Sequence, residues 1–226
     1  MNKFFGHLKT VCKHKYWVWY YMHKCGHGWR GLWHDMSKFS PTEFFESVKY
    51  YSGTRSPIDA CKEENGISMA WMHHKGRNPH HYEYWMDNFD KGGEAKQMPW
   101  KYRVEMICDY LGAARAYMGK NFSYKAELDW WRGKLELPRT QHFADKAFVS
   151  RILEQLAFEE EMGGHKHATK TLKYSLLVAK DLEYGGCHVS DTYKGYFSSH
   201  NKFLMKAGNN YIIARFIYKS RDLHDK

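Results

Sequence analysis

The sequence predicts an all-α fold, and three observations carry that prediction. Ser-Pro and Asn-Pro pairs recur where helices would start, apolar residues repeat with a helical period, and glycines stand where the periodic runs stop. No internal repeat and no low-complexity segment interrupts the pattern.

The first segment, FFGHLKTVCKHKYWVWYYMHKCG, sets Leu8, Val11, Cys12, Trp19 and Met22 on a helical stripe and stops at Gly26. Its YWVWYY run has the composition of a strand, but the segment outlasts a strand and does not alternate on either side, so it reads as helix. Ser40-Pro41-Thr42-Glu43 is a capping box with proline in the first turn. Ser56-Pro57-Ile58-Asp59 opens a second helix of this kind, Asn78-Pro79-His80-His81 a third, and Pro99 a fourth through PWKYRVEMICDYLGAARAYM. Beyond Gly119, SYKAELDWWRGKL reads as a short helix closed by Pro138. TQHFADKAFVSRILEQLAFEEEMGG and HATKTLKYSLLVAKDLEYGG read as two amphipathic helices, each ending in a glycine pair, whereas YIIARFIYK fits helix or strand. The expected organisation is a compact helical unit over 1–140 with a mainly helical extension over 141–226.

The 226 residues are enough to bury a sizeable core. No apolar run approaches the roughly 18 residues of a membrane span, and MNKFFGHLKTVCKHK lacks the apolar stretch and cleavage site of a signal peptide. A cytoplasmic protein without membrane association is expected. Cys12, Cys25, Cys61, Cys108 and Cys187 are odd in number and never spaced C-x-x-C, which argues against a disulfide framework or a thiolate zinc site. A net charge of +10 with 17% aromatics favours anionic partners: phosphates, nucleotides or nucleic acid. The basic residues are spread along the chain, unlike a disordered basic arm.

The candidate chemistry centres on LWHDMSKFSPTEFF, where His34, Asp35 and Lys38 sit among apolar residues. His7 lies 27 residues before His34 in the first helix, and Asp109 lies in the Pro99 helix within MICDYLGAAR. His7, His34, Asp35 and Asp109 are therefore a candidate ligand set from three helices; imidazole and carboxylate donors suit Mn, Fe, Zn, Co or, less comfortably, Mg. Adjacent residues in a helix diverge by about 100°, so a His-Asp pair can share one ion only near a helix end. His14, seven residues after His7 on the same face, is the other candidate first ligand, and Asp87 competes with Asp109. A second concentration, AWMHHKGRNPHHYEYW, holds His73, His74, His80 and His81 within nine residues.

The pattern of a first His, a His-Asp pair 27 residues on, Lys38 three residues after Asp35, and a distant Asp109 resembles the HD superfamily of metal-dependent phosphohydrolases over residues 7 to about 118. HDMSKFSPTEF, RSPIDACKEENG and HHKGRNPHHYEYW also resemble an uncharacterised family of bacterial and phage proteins sometimes labelled catalase, a label the residues do not support. If phage-encoded, the protein would act in the host cytoplasm. The superfamily resemblance implies an HD-domain-like helical bundle, places Asp109 ahead of Asp87, and opens a second metal position at His74 and His80. It also implies hydrolysis of a nucleotide or another small phosphorylated substrate. Lys38, Lys75 and Arg77 would hold phosphate, and His80 or His81 would protonate the leaving oxygen. Two other functions fit: a di-iron oxygenase of HD type, and a non-catalytic module that sequesters nucleotide or nucleic acid. Homo-oligomerisation through the two late amphipathic helices is a further expectation.

Overall fold

The computed structural model describes residues 2–137 and 140–183, with side chains through Lys180, and the backbone of three short strands at 196–197, 202–207 and 210–215. The described residues hold nine α-helices: α1 (Lys3–Lys24), α2 (Gly28–Trp33), α3 (Pro41–Tyr50), α4 (Pro57–Asn65), α5 (Met69–Arg77), α6 (Trp100–Met118), α7 (Tyr124–Leu135), α8 (Phe143–Gly163) and α9 (His165–Glu183). β1 (Met86–Asp87) pairs antiparallel with β2 (Glu94–Ala95) between α5 and α6. After α9, β3 (Tyr196–Phe197), β4 (Lys202–Ala207) and β5 (Asn210–Arg215) form a small antiparallel sheet in that order. The fold is all-α in class, as expected.

Local chemistry starts and stops these helices. Asn2 caps α1 by accepting from the Phe4 N–H, and Gly26 ends it at φ +81°, a conformation that glycine reaches without steric cost. The Ser40 hydroxyl accepts from the Glu43 N–H, while Ser68 and Ser123 do the same for α5 and α7. The buried positions of α1 step by fours and threes through His7, Val11, His14, Val18 and Tyr21, one face of a helix.

That face meets α6, which buries Val104, Ile107 and Leu111 against it. The same apolar core continues through Leu128 and Trp131 of α7, Ile152, Leu153 and Leu156 of α8, and Leu172, Leu176 and Ala179 of α9. It therefore runs on both sides of position 140 among the described residues. Helices α3, α4 and α5 pack together, with α3 also against α1, and form a second layer that closes over the N-terminal half of α1.

One expectation changes. No α-helix begins at Asn78-Pro79: the chain turns there, and only a 3₁₀ turn follows at Tyr82–Trp85. The residue before proline disfavours α geometry, and Asn78 is extended as the cap that ends α5, a helix whose short apolar run the sequence reading passed over. YIIARFIYK, which fits helix or strand by sequence, is strand over its described part, through Arg215. Trp29 and Trp33 are 74% and 61% exposed on α2. Pro138 and the glycine pair 185–186, read as helix stops, lie outside the described residues.

Gly112 sets how closely α6 approaches α1. A Cβ at Gly112 would lie 2.5 Å from Val18 Cγ2 and 2.9 Å from the Val18 backbone nitrogen. The backbone atom cannot yield by a rotamer change. Alanine would gain about 1 kcal/mol of helix propensity at this position, but overpacking costs about 1–3 kcal/mol. Gly112→Ala is therefore expected to lower the urea midpoint, whereas Gly76→Ala in α5, where a Cβ meets nothing within 4 Å, should leave it unchanged or raise it.

Candidate metal centre

The donors converge because two helices and two turns each present them to one point. On α1, His14 stands on the buried face between Val11 and Val18. On α6, Glu105 and Asp109 are spaced i, i+4 and so share a face. His34 is the extended cap of α2, and Asp35 follows at φ +53°, in the left-handed region that aspartate tolerates better than most residues. This reversal resolves the His-Asp problem: both side chains of an adjacent pair turn inward because α2 ends at Trp33, just before them. Lys15 holds the turn from α1 by donating to the Leu32 and His34 carbonyls. His74 comes from α5, and His80 and His81 from the turn after it.

Asp35 lies between two donor groups, one of His14, His34, Asp35 and Asp109, the other of Asp35, His74, His80 and His81. Its Oδ2 is 3.3 Å from His14 Nε2 and 3.2 Å from His34 Nε2; Asp109 Oδ1 is 3.2 Å and 3.4 Å from the same two nitrogens. Four donors placed about 2.1 Å from a tetrahedral ion stand roughly 3.4 Å apart. The other Asp35 oxygen, Oδ1, is 3.4 Å from His74 Nε2 and 3.3 Å from His80 Nε2. His34 Nε2, His80 Nε2, His81 Nε2 and Asp35 Oδ1 are buried without a hydrogen-bond partner. One such orphan costs about 1–3 kcal/mol, and four around one point fit donors that face a cation. The residues present therefore fit one or two divalent ions.

A surrounding layer fixes the imidazoles. Glu105 Oε1 accepts from His34 Nδ1 at 3.0 Å, and Arg30 holds the other Glu105 oxygen. Glu43 places one oxygen 2.6 Å from His73 Nδ1 and the other 2.7 Å from His74 Nδ1. With Nδ1 committed, each Nε2 lone pair is free to face inward. Burial opposes charge on Asp35 and Asp109, but the nearby imidazoles, joined at Asp35 by Lys38, hold both carboxyls well below their usual range. Burial likewise opposes the His34 cation, yet Asp35, Asp109 and Glu105 raise its pKa well above the usual value. The pocket demands positive charge, which a proton on His34 or a bound cation satisfies. His81 is held neutral by burial and by His80 and His74.

These elements lie almost wholly within the span matched by a single family model, residues 3–155, described as Family of unknown function (DUF5662). The chain belongs to DUF5662. No curated protein and no solved structure matches it. The DUF5662 span carries every donor of both groups.

His34, Asp35, Asp109, His74, His80 and His81 come together, joined by His14 rather than by His7. His7 sits two turns earlier on the same face, against Phe44 and Tyr51, with ring centroids 5.1 Å and 5.7 Å away. The shared face explains the ambiguity; the position of α2 decides for His14. Asp87 is exposed on β1, away from the centre. Lys38 reaches Asp35 Oδ2 at 2.6 Å. Lys75 and Arg77 do not line the cavity beside the centre, because the α5 face that delivers His74 turns them away. His80 and His81 stand among the donors. Glu105 and Glu43 escaped the sequence reading: the i, i+4 match of Glu105 to Asp109 was a usable signal, but Glu43 was hidden by its place in a capping box.

Glu127 of α7 is also buried, and that burial, with the Asp109 charge, pushes its carboxyl up to about 8. Between the ordinary carboxylate range near 4.3 and about 8, the folded chain keeps a proton that the unfolded chain has lost. Stability contributed by the neutral acid is present at low pH and lost as pH rises through that window. In chelator, urea melts from pH 5 to 8.5 should show this decline, and Glu127→Gln should flatten it.

For the centre itself, metal analysis of purified variants gives the decisive contrast. Asp35→Ala should lose all bound metal, His14→Ala should lower metal content, and His7→Ala should leave it unchanged. Glu43→Ala should keep the fold while metal affinity falls about 10–100-fold, the usual effect of removing a carboxylate behind a ligating histidine.

Proposed function

We propose that this member of DUF5662 is an HD-type metal-dependent phosphohydrolase or phosphodiesterase of the cytoplasm, acting on a nucleotide or another small phosphorylated molecule. The observation that carries this reading is the Asp35 carboxylate, which turns one oxygen to each of two His-rich donor groups and sits beside a cationic Lys38 at a cavity wall. That is the donor chemistry of a two-ion centre for phosphoryl transfer. The His-Asp-x-x-Lys pattern and its HD resemblance point the same way.

Divalent ions held there supply Lewis acidity, which acidifies a water and neutralises charge developing on a phosphoryl group. The chain supplies the rest. Lys38 spends one N–H on Asp35 and keeps the others for phosphoryl oxygens. Its charge is secure, since burial lowers its pKa less than Asp35 and Asp109 raise it. Glu43 and Glu105 hold His74 and His34 in the tautomer that leaves Nε2 free. Tyr117, another lining residue, retains its proton because burial raises its pKa, and so has an O–H to donate to a phosphoryl oxygen.

The test pairs metal content with turnover on a panel of nucleotides and cyclic nucleotides. Chelator should abolish hydrolysis and added divalent metal restore it. Asp35→Ala should lose metal and turnover together, whereas Lys38→Ala should keep its metal while kcat falls about 100-fold or more. Full turnover by metal-free Asp35→Ala refutes the proposal. Two irons per chain with oxygen-dependent chemistry would instead assign an oxygenase, and tight binding of a phosphorylated compound without hydrolysis would assign a sequestering module.

A further inference from the structure

The cavity beside the centre has a volume of about 210 Å³ and runs between α1, α3, α5 and α6. One end is walled by His14, His74, His81 and Asp109, with Lys38 beside them. The other reaches His7 and Thr10 at the start of α1. The seven-residue offset between His7 and His14 puts the two ends roughly 10 Å apart along the helix axis.

The two ends differ in chemistry. Lys38 is the one lysine or arginine among the described lining residues, and Asp35 already takes part of its charge. Toward the far end the walls are Val11, Ile58 and Ala70, with the hydroxyls of Thr10, Ser47 and Ser56. His7 is 7% exposed, and its buried Nδ1 has no hydrogen-bond partner. Burial and the Lys38 charge push its pKa down to about 4, so it stands as a neutral imidazole with donor and acceptor capacity. An unpaired polar atom in such a place costs about 1–3 kcal/mol unless something meets the ring.

A charged group at the His7 end would find no counter-ion of its own, since Asp35 already takes part of the Lys38 charge, and burying it there is expensive. An uncharged polar group there would meet the histidine and the hydroxyls instead. We propose that the cavity takes a phosphomonoester with a single phosphoryl group beside Lys38 and an uncharged, hydrogen-bonding organic part of nucleoside size, and that His7 is the residue that reads this organic part. The inference rests on the reading of the centre as phosphate-handling. It excludes nucleoside di- and triphosphates as preferred ligands, because beyond the bound ions Lys38 is the one lysine or arginine among the described lining residues to meet their additional charge.

Calorimetric titration of the metal-loaded protein, in the cold and over minutes, tests this with inorganic phosphate, four nucleoside 5′-monophosphates and the matching triphosphates as probes. At least one monophosphate should bind ten times more tightly than inorganic phosphate and than its triphosphate. His7→Phe, which keeps a ring and removes both nitrogens, should erase the monophosphate advantage while leaving metal content and inorganic phosphate affinity within twofold of wild type. His7→Asn should recover part of that advantage, and it carries the test if His7→Phe does not fold. Equal weakening of phosphate and monophosphate by the substitution, no weakening of either, or tighter binding of a triphosphate overturns the proposal and leaves the hydrolase reading standing. Failure of every probe, inorganic phosphate included, removes both.

Discussion

The structure depends on keeping two carboxylates, Asp35 and Asp109, charged in the interior. Both are buried where α1, α6 and the α2 turn meet, beside the apolar core that continues toward Val18 and Ile107. An isolated buried carboxylate would take up a proton, and burial acts on these two in that direction. The neighbours reverse it: four imidazoles, Lys38 and the fixed donors of the surrounding layer favour the ionised form. Charge of this kind is costly to assemble and costlier to leave half-assembled. The outer residues Glu43, Glu105 and Arg30 are therefore part of the same device as the donors.

Geometry follows from that demand. A straight helix through His34 and Asp35 would send the two side chains about 100° apart. The chain instead ends α2 at His34 and places Asp35 in a left-handed conformation, of order 1 kcal/mol less favourable for a residue with a Cβ. Lys15, holding two carbonyls of the turn, and Lys38, held by the Asp35 carboxylate, tie this conformation down from both sides. The close approach of α6 to α1 at Gly112, one turn beyond Asp109, brings the distant aspartate to the same point.

Legibility in the sequence tracked how local each determinant is. Caps at Ser40 and Ser123, the stop at Gly26 and the long amphipathic segments are set within a few residues, and the helical class could be read from them. The His-Asp pair was legible because its adjacency makes sense only at a helix end. The choice between His7 and His14 was not, since both occupy the buried face of α1 and only the packing of α2 separates their roles. Asn78-Pro79 misled for a related reason: its helix-start grammar is overridden by the α5 cap and by the demand that His80 and His81 face Asp35. Glu43 shows the limit most clearly. A serine three residues before a glutamate signals a capping box, and the serine does cap, but the carboxylate turns to His73 and His74, 30 and 31 residues on, which no window of local sequence contains.

The donors come from α1, the α2 turn, α5, the turn after it and α6, so no two neighbouring elements hold a complete group of four. The site is consequently a property of the folded chain, and a cation bound there favours the folded state by mass action, growing with the logarithm of its concentration over the dissociation constant. The same layout separates two tasks along one helix. His14 belongs to the charge-dense end of the cavity, and His7, two turns away on the same face, to the neutral end. One buried stripe of α1 thus carries both a histidine of the donor groups and, seven residues earlier, the histidine of the neutral end.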